Sequence, residues 1–259
     1  MGIICSFGLQ KGGVGKTSST GITGYLLAEQ GQRVLLVDYD SQGNLTQLVS
    51  GNSPYAYVHK TIFEAVKERD PRPYIVHLHD NLDLIPAEDF LSSLGRWMYQ
   101  EYREPRDPML LLKDTLDKVK DEYDWILIDL PPNLGEQTIT GIGASDYCVV
   151  VSMCEPFSYD AIERYLEMLQ AAQERIRPDI KLAGILMGLL DARTSIGQHI
   201  QERVREEYGD FVFQTVIRRK SRIIEFSFEG LSSRTKQDRE ALEMYESFVE
   251  ELKTIVHDK

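Results

Sequence analysis

Short, continuously apolar runs alternate with longer amphipathic segments along most of the chain. The apolar runs lie at 3–9, 34–37, 82–85, 125–128, 147–153, 182–190 and 215–217. Because their hydrophobic residues are mostly consecutive rather than alternating, each predicted strand is buried on both faces, as strands of parallel sheets are. The amphipathic segments between them supply the helices that connect parallel strands. The pattern therefore predicts an α/β fold with a doubly wound, mostly parallel sheet flanked by helices.

Residues that favour helix ends mark several of the amphipathic segments. A helix over 17–30 is followed by Gly31, which suits the left-handed position after a helix. Thr61 and Glu64 fit a capping box at the start of a second helix. Further helices are predicted over 109–122, 160–175, 195–208 and 239–256. The aromatic and charged segment 97–108, which ends in two closely spaced prolines, predicts a surface loop or a variable insertion without an assigned function.

Composition narrows the class of protein. A chain of 259 residues with 42% hydrophobic content predicts one domain over 1–259. No apolar run is long enough to span a bilayer and no basic leader precedes the first run, so we expect a cytoplasmic protein. Three cysteines inside apolar runs predict buried, reduced thiols. Acidic residues outnumber basic ones by 41 to 29, and the resulting charge of -12 by itself argues against nucleic-acid binding.

A glycine-rich segment stands between the first predicted strand and the first predicted helix. Its glycines allow the backbone N–H groups to form a concave nest, and the helix N-terminus adds partial positive charge. Lys16 can neutralise outer phosphates, and the Thr17 hydroxyl can bind Mg²⁺. The standard P-loop has glycine where this chain has Gln10, and Lys11 is an additional lysine. The predicted nucleotide-binding residues are Lys11, Gly12, Gly13, Val14, Gly15, Lys16, Thr17 and Ser18.

Carboxylates follow two later strands. Asp38 and Asp40 come after the run 34–37, and Asp129 comes after the run 125–128. Ligands of open α/β sheets bind at the carboxyl ends of the strands, so these groups should lie beside the glycine-rich loop. A carboxylate there can hold Mg²⁺ or its water, or orient an attacking water. A single such aspartate often only caps the next helix, but three in this order favour a Mg²⁺–nucleotide site.

Four motifs resemble those of the ParA/Soj partition ATPases, which are P-loop NTPases of the deviant Walker A type and relatives of MinD. The motifs are K-G-G-V-G-K-T at 11–17, L-L-V-D-Y-D-S-Q-G-N at 35–44, Y-D-W-I-L-I-D-L-P-P-N-L at 123–134 and L-D-A-R-T at 190–194. The resemblance implies a slow ATPase that uses ATP and Mg²⁺ and forms an ATP-dependent homodimer. It also implies stimulation by a ParB-type DNA-binding activator protein. No N-terminal operator-binding extension is expected, because the loop begins so early in the chain.

The resemblance assigns roles to individual residues. Lys11 would reach across the dimer to the partner's phosphates, Lys16 would bind phosphate, and Asp40 would position the hydrolytic water. The metal shell would comprise Thr17, Asp38 and Asp129. A lysine acting in trans in the manner of an arginine finger can contribute about 10³ to 10⁵ in rate, so hydrolysis would depend on dimerisation.

Positive charge is concentrated in one part of the chain. Residues 193–239 hold ten Lys/Arg against seven Asp/Glu, a net of +3, whereas the remainder carries -15. The resemblance assigns non-specific DNA contacts to the positions of Arg193 and Arg222, and a basic run surrounds the latter. The predicted DNA-binding residues are Arg193, Arg218, Arg219, Lys220 and Arg222. They predict a nucleoid-associated protein whose binding needs a dimer with two basic patches; the alternative is an ordinary solvated basic loop.

Other features of the chain suggest alternative interpretations. A MinD-like ATPase that positions cargo or associates with a membrane is the alternative function, and the apolar stripe of the last helix could be its anchor. That helix carries net negative charge, which disfavours an anionic membrane surface and favours packing in the core. His77 and His79 alternate on one face of a further short strand without a third ligand, and Cys148 and Cys154 predict packing rather than cluster binding. The expected partners are therefore DNA and an activator protein, with no membrane.

Overall fold

The computed structural model describes residues 2–103, 105–155, 158–190 and 195–257. Within them, eight strands form one sheet. The strands are β1 (Ile3–Gly8), β2 (Val34–Asp38), β3 (Val76–His79), β4 (Leu82–Ile85), β5 (Trp125–Asp129), β6 (Tyr147–Met153), β7 (Lys181–Leu190) and β8 (Val212–Arg218). Their order is β3-β4-β2-β5-β1-β6-β7-β8, and every neighbouring pair is parallel except β3 and β4.

Ten α-helices connect or flank these strands in the described part of the chain. They are α1 (Lys16–Glu29), α2 (Asn44–Ser50), α3 (Ile62–Glu68), α4 (Leu94–Gln100), α5 (Leu111–Leu116), α6 (Glu136–Ala144), α7 (Ser158–Arg175), α8 (Ser195–Tyr208), α9 (Ser221–Glu229) and α10 (Lys236–His257).

Helices cover both faces of the sheet, as neighbouring residues of β1 demonstrate. The Phe7 ring packs edge-on against Phe248 of α10, with ring centroids 6.3 Å apart. The next residue, Gly8, lies directly against Tyr165 of α7, where any larger side chain would overlap the phenol ring. Successive strand residues face opposite sides, so α10 and α7 lie on opposite faces. Every residue of β2 and β5 is buried, which confirms the prediction drawn from the consecutive apolar runs.

The predicted helix signals are largely confirmed. The Thr61 hydroxyl and the Glu64 carboxylate form the expected capping box, and Gly31 has a φ of 82° after α1. The apolar stripe of α10 faces the core: Leu242, Tyr245, Val249, Leu252 and Val256 are all buried. The stripe is therefore a packing surface. None of the helices among the described residues is both long and apolar enough to cross a bilayer.

Two predictions from the sequence were wrong in their extent. The segment 97–108 is not entirely loop, because α4 continues to Gln100 and buries Met98. The helix predicted over 109–122 is reduced to α5, with short 3₁₀ turns on either side.

Four short helices were not predicted: α2, α4, α6 and α9. Helix α6 contains Gly141 and Gly143, which lower helix propensity. Close packing against Leu130 nevertheless requires glycine at position 141, so tertiary contact overrides propensity.

Candidate functional site

The glycine-rich loop follows β1 at the carboxyl edge of the sheet and leads into α1. Gly13 and Gly15 have φ angles of 72° and 89°, which glycine adopts without the strain that a side chain would bring. At Gly12, Gly13 and Gly15, no heavy atom of the described structure lies within 4 Å of where a Cβ would be. Lys16 curls back over this loop, and its Nζ donates to the Lys11 carbonyl at 2.8 Å. The loop is therefore an open concave surface backed by a buried ammonium group.

Thr17 and Asp129 form a pair beside this loop. The Thr17 hydroxyl donates to Asp129 Oδ2 at 2.7 Å. Asp129 is buried at the end of β5, yet its Oδ1 accepts no hydrogen bond from the described residues. An unsatisfied buried carboxylate oxygen is costly unless a cation or donor reaches it. A hydroxyl and a carboxylate oxygen are the kind of ligand that Mg²⁺ takes, so the pair fits this ion.

Asp38 is more deeply buried than Asp40. Asp38 is fully buried, and its Oδ2 accepts from both the backbone N–H and the hydroxyl of Thr46 at 2.7 Å. Its Oδ1 accepts the Asp40 N–H at 3.2 Å. Asp40 lines the cleft above the loop, and its carboxylate accepts the Gln42 N–H at 3.1 Å. Asp38 therefore supports the loop after β2, whereas Asp40 faces the space where a ligand would bind.

The pKa values of the groups beside the loop are shifted mainly by burial. Burial, reinforced by the neighbouring Asp38, raises the pKa of Asp129 well above its ordinary value. Burial likewise raises the pKa of Asp38 to about 7, although its hydrogen bonds from Thr46 oppose the shift. Burial lowers the pKa of Lys16, while the charges of Asp129 and Asp40 oppose that shift. A divalent cation bound here would favour the ionised carboxylates.

The ion would need ligands besides the protein. No group of three or more His, Cys, Asp or Glu side chains is placed to hold a metal in the described ranges. Mg²⁺ at nucleotide sites commonly takes one or two carboxylate ligands, waters and the phosphate oxygens. Thr17 and Asp129 therefore fit a metal that arrives with a nucleotide.

Lys11 lies at the edge of the loop and does not fold over it as Lys16 does. Its Nζ is 3.1 Å from Glu155 Oε2 and 3.3 Å from the Ser158 hydroxyl, to which it donates. A quarter of the Lys11 side chain is exposed. The additional lysine is thus tied to the end of β6 and the start of α7 within its own chain.

A cleft of about 670 Å³ extends from the loop to α9. The loop residues Gly12–Ser18 form one wall. Another wall comes from α2 and α9. It mixes polar residues with apolar ones, and the apolar ones are Leu48, Ile223, Ile224 and Phe228. Arg219 and Lys220 also line this wall. The sequence did not predict that residues 221–229 form a helix, although apolar residues follow the basic run there.

The predicted DNA-binding residues have different surroundings. Arg193 lies outside the described residues. Arg218 and Arg219 are exposed at the end of β8 and form no ion pair with any described residue. Lys220 is partly buried and donates to the Glu240 carbonyl. Arg222 is bound by Glu225, Glu229 and Asp238.

The remaining residues singled out from the sequence have ordinary structural surroundings. His77 Nδ1 lies 2.8 Å from Asp83 Oδ1 on the β3–β4 pair at the sheet edge. The three cysteines are buried and free. Burial raises the pKa of the Cys148 and Cys154 thiols to about 11, which disfavours the reactive thiolate.

Known proteins of similar sequence or structure include an ATPase and a structure with bound ADP and magnesium. The model of the AAA domain family matches residues 2–182. Sporulation initiation inhibitor protein Soj of Bacillus subtilis is 36% identical, over 89% of this chain and 89% of that protein. Chromosome-partitioning ATPase Soj of Treponema pallidum is 35% identical, over 89% of this chain and 88% of that protein. Among solved structures, cobyrinic acid a,c-diamide synthase of Mycobacterium smegmatis with bound ADP and magnesium aligns with a TM-score of 0.83 and 28% identity, covering 98% of this chain and 95% of that chain.

Proposed function

The chain belongs to the ParA/Soj family of P-loop ATPases, and we propose that it is a partition ATPase whose ATP-bound dimer holds DNA without sequence preference. Hydrolysis, stimulated by a ParB-type activator, would release it from the DNA. The observation that carries the proposal is the Thr17–Asp129 pair beside an open glycine loop, because it combines a phosphate cradle with a fitting Mg²⁺ site.

The cofactors are ATP and Mg²⁺ in this proposal. The N–H groups of the loop and the N-terminus of α1 would bind the phosphates, and the ammonium group of Lys16 would neutralise their charge. Bound Mg²⁺ neutralises the charge that develops on the phosphate oxygens. Thr17 and Asp129 would hold that ion, and Asp38 would keep the β2 end in position through Thr46.

Asp40 is the residue that we assign to the attacking water. It lines the cleft, and no described residue donates to its second oxygen, which can therefore accept a hydrogen bond from water and position it. Positioning a nucleophile in line with the leaving group is the main task of the protein in phosphoryl transfer.

Lys11 would supply a second cation in trans. Within one chain it is held by Glu155 and Ser158, so it must leave these groups before it can reach the phosphates bound by another subunit. An isolated subunit would then hydrolyse ATP slowly, and ATP would favour the dimer because each nucleotide binds both subunits.

We assign DNA binding to Arg218 and Arg219 at the end of β8, and Arg219 also lines the cleft. Arg218 and Arg219 are exposed cations on a chain that is otherwise strongly acidic. One such patch binds few phosphates, but two patches on a dimer bind more and give a steeper salt dependence. The net negative charge elsewhere would repel DNA and so help to make binding depend on the dimer.

Sedimentation tests the proposed surface. The chain is spun with plasmid DNA or with anionic liposomes, each in the presence of ATP and Mg²⁺ or of ADP and Mg²⁺. In the presence of ATP we expect the chain to bind DNA and not liposomes. Its affinity for DNA should fall as the salt concentration increases. ATP-dependent binding to liposomes without binding to DNA would contradict the proposal and support a membrane-associated function.

Kinetics test the trans-acting lysine. For the wild type we expect specific activity to rise with protein concentration as dimers form. Lys11→Ala should bind ATP but lose this dependence, whereas normal activity would contradict the assignment. Glu155→Gln is the matched variant: it weakens the hold on Lys11 within the chain, so dimerisation should require a lower protein concentration.

A further inference from the structure

The two edges of the sheet differ in length. In the sheet of described strands, β3 and β8 are the outermost, with four and seven residues respectively. An edge strand carries backbone N–H and C=O groups with which another strand can pair, and a very short strand offers few of them. Strand β8 is long enough to pair with a strand from a second copy of the chain.

The sequence of β8 favours such pairing. Val212–Arg218 reads V-F-Q-T-V-I-R, and its first six residues include no charge, proline or glycine. Segments of six or seven residues with high β propensity and low net charge are typical of chains that associate through their strands. This edge is therefore open to self-association unless its backbone groups are occupied.

Part of β8 is out of register with β7. Ile185 of β7 lies opposite Val212, but Met187, only two residues later, lies opposite Val216. Strand β8 thus has two more residues than β7 between these pairs, which is a β-bulge. Residues 213–215 form this bulge, and a bulge leaves backbone groups without a partner in the ladder.

Glu251 of α10 accepts hydrogen bonds from the N–H groups of the bulge. Its Oε2 accepts the Gln214 N–H at 2.7 Å, and its Oε1 accepts the Thr215 N–H at 2.8 Å as well as the Thr215 hydroxyl. One carboxylate therefore binds both backbone donors. Further along the same strand, the Arg218 N–H donates to Met244 Sδ at 3.2 Å, again on α10.

Arg205 of α8 donates to the C=O groups of the same two peptide units. Its Nη2 donates to the Phe213 carbonyl at 2.8 Å and to the Gln214 carbonyl at 3.0 Å. Its Nη1 donates to Gln214 Oε1 at 3.4 Å. Each of the two peptide units thus has a guanidinium at its C=O end and a carboxylate at its N–H end. Such hydrogen bonds are strong because one partner is charged.

We propose that Arg205 and Glu251 form a clamp that closes the β8 edge against strand addition by a second copy of this chain. The clamp occupies four backbone groups with which an incoming strand could pair. It also holds the strand in a bulge, which increases the local twist and disfavours pairing. Neither residue lines the nucleotide cleft, so the inference does not depend on the proposed function.

Hydrogen exchange measured by NMR tests the clamp directly. Glu251→Ala should speed amide exchange at Gln214 and Thr215 about tenfold or more, because each amide loses a charge-assisted hydrogen bond. Glu250→Ala is the matched control, since it removes the same charge from an exposed side chain that pairs with Lys253. It should leave both exchange rates as in the wild type. Unchanged exchange in Glu251→Ala would refute the clamp.

Sedimentation velocity without nucleotide tests the effect on self-association. Glu251→Ala combined with Arg205→Ala should give assemblies that grow with protein concentration and bind thioflavin T. Glu250→Ala combined with Arg203→Ala removes the same charges from the same two helices and should sediment as the wild type does. Faster exchange at 214 and 215 with unchanged sedimentation would mean that the clamp only shapes the bulge, and the proposal would be wrong.

An added charge separates strand pairing from loss of stability. Gln214 is exposed, and a lysine on an edge strand opposes pairing. Gln214→Lys should therefore restore wild-type sedimentation to the Arg205 and Glu251 double variant, whereas Gln100→Lys, on the exposed surface of α4, should not. Equal rescue by both lysines would assign the assemblies to general aggregation and overturn the proposal. If the double variant does not fold, Glu251→Gln takes its place, because its amide keeps the shape but turns one acceptor into a donor.

Discussion

The two walls of the cleft are built by different means. The loop wall lies between β1 and α1 and includes the buried Lys16, and beside it Asp38 and Asp129 are buried at the ends of β2 and β5. The α9 wall comes from a short helix that is mostly exposed and is joined to α10 by Arg222 and Asp238. Buried parallel strands hold the first wall in place, whereas contacts with α2 and α10 hold the second.

This difference suggests a division of tasks. Phosphate chemistry requires groups fixed within a fraction of an ångström, and strand ends in a packed sheet provide that. A wall with few buried side chains can shift when a ligand or a second subunit arrives, because regions with few buried contacts open at low free-energy cost. We expect changes at the loop wall to affect binding and hydrolysis strongly, and changes at the exposed α9 positions to affect them weakly.

Removing the buried cation gives the largest expected effect. Lys16→Ala leaves the loop without its ammonium group, and truncating one member of a buried charge pair costs several kcal/mol. ATP affinity should fall about 10³-fold, as measured by calorimetry with a non-hydrolysable ATP analogue. Lys67→Ala, on the surface of α3, is the matched control and should bind as the wild type does. Near-normal affinity in Lys16→Ala would show that the loop is not the phosphate site.

The pH dependence of the free energy of unfolding tests the burial of Asp38, beside the same wall, in the absence of ligand. In the folded chain the pKa of Asp38 is raised to about 7, against 3.8 for an ordinary aspartate. Between these pH values the folded chain holds a proton that the unfolded chain has lost, so the free energy of unfolding falls as pH rises. The difference amounts to roughly 4 kcal/mol at most.

Asp38→Asn should reduce this pH dependence, measured as urea unfolding from about pH 5 to about pH 8 without Mg²⁺. The raised pKa of Asp129 leaves a remaining dependence of the same sign. Asp124→Asn is the control, because hydrogen bonds from Arg33 lower the pKa of Asp124. Its contribution is lost only as pH falls below the ordinary aspartate range. Parallel pH profiles for wild type and Asp38→Asn would contradict the burial argument.

Asp40 distinguishes binding from chemistry at the loop wall. Asp40→Ala should keep ATP binding and dimerisation but slow hydrolysis about 10²-fold, since one positioned acid–base group contributes about that much. Phosphate release measured at saturating ATP gives the rate, and analytical ultracentrifugation gives the dimer. Unchanged turnover would remove Asp40 from the reaction.

The smallest effect is expected at the exposed tip of α9. Phe228→Ala should change the free energy of unfolding by less than about 0.5 kcal/mol, as surface substitutions usually do. ATP affinity should fall only about two- to fivefold. Phe226→Ala, two residues earlier but 1% exposed, should cost about 3 kcal/mol or more in stability. Equal effects of the two substitutions would mean that Phe228 is fixed as firmly as the loop wall is.

Much of the loop wall could be predicted because each part of it is formed by residues that are neighbours in the sequence. Consecutive apolar residues predicted β2 and β5 almost to the residue, and Asp38 and Asp129 form the ends of these two strands. The pairing of Asp38 with Asp129 across the two strands then follows from parallel register. The sequence did not indicate that Asp38 would be satisfied by Thr46 while one oxygen of Asp129 would accept no hydrogen bond.

The α9 wall was less predictable. Its apolar residues, including Ile223 and Phe228, fit neither a plain strand nor a long amphipathic helix, so α9 was missed. Helix α4 was partly taken for a loop because the nearby prolines and charges outweighed the apolar residues that bury it, Leu94 and Met98. Short elements have too few residues for periodicity to decide, and tertiary packing decides instead.

By itself the sequence determined the α/β sheet, the glycine loop and the carboxylates at the strand ends, because each depends on neighbours within a few residues. It also determined the segregation of charge that brings Arg218, Arg219 and Arg222 together in the chain. Only the tertiary structure separated these arginines into two exposed cations and one bound to Asp238, 16 residues away, at 2.7 Å. Charge is a property of the residue, but whether a charge is free to bind a partner depends on which groups the folded chain brings against it.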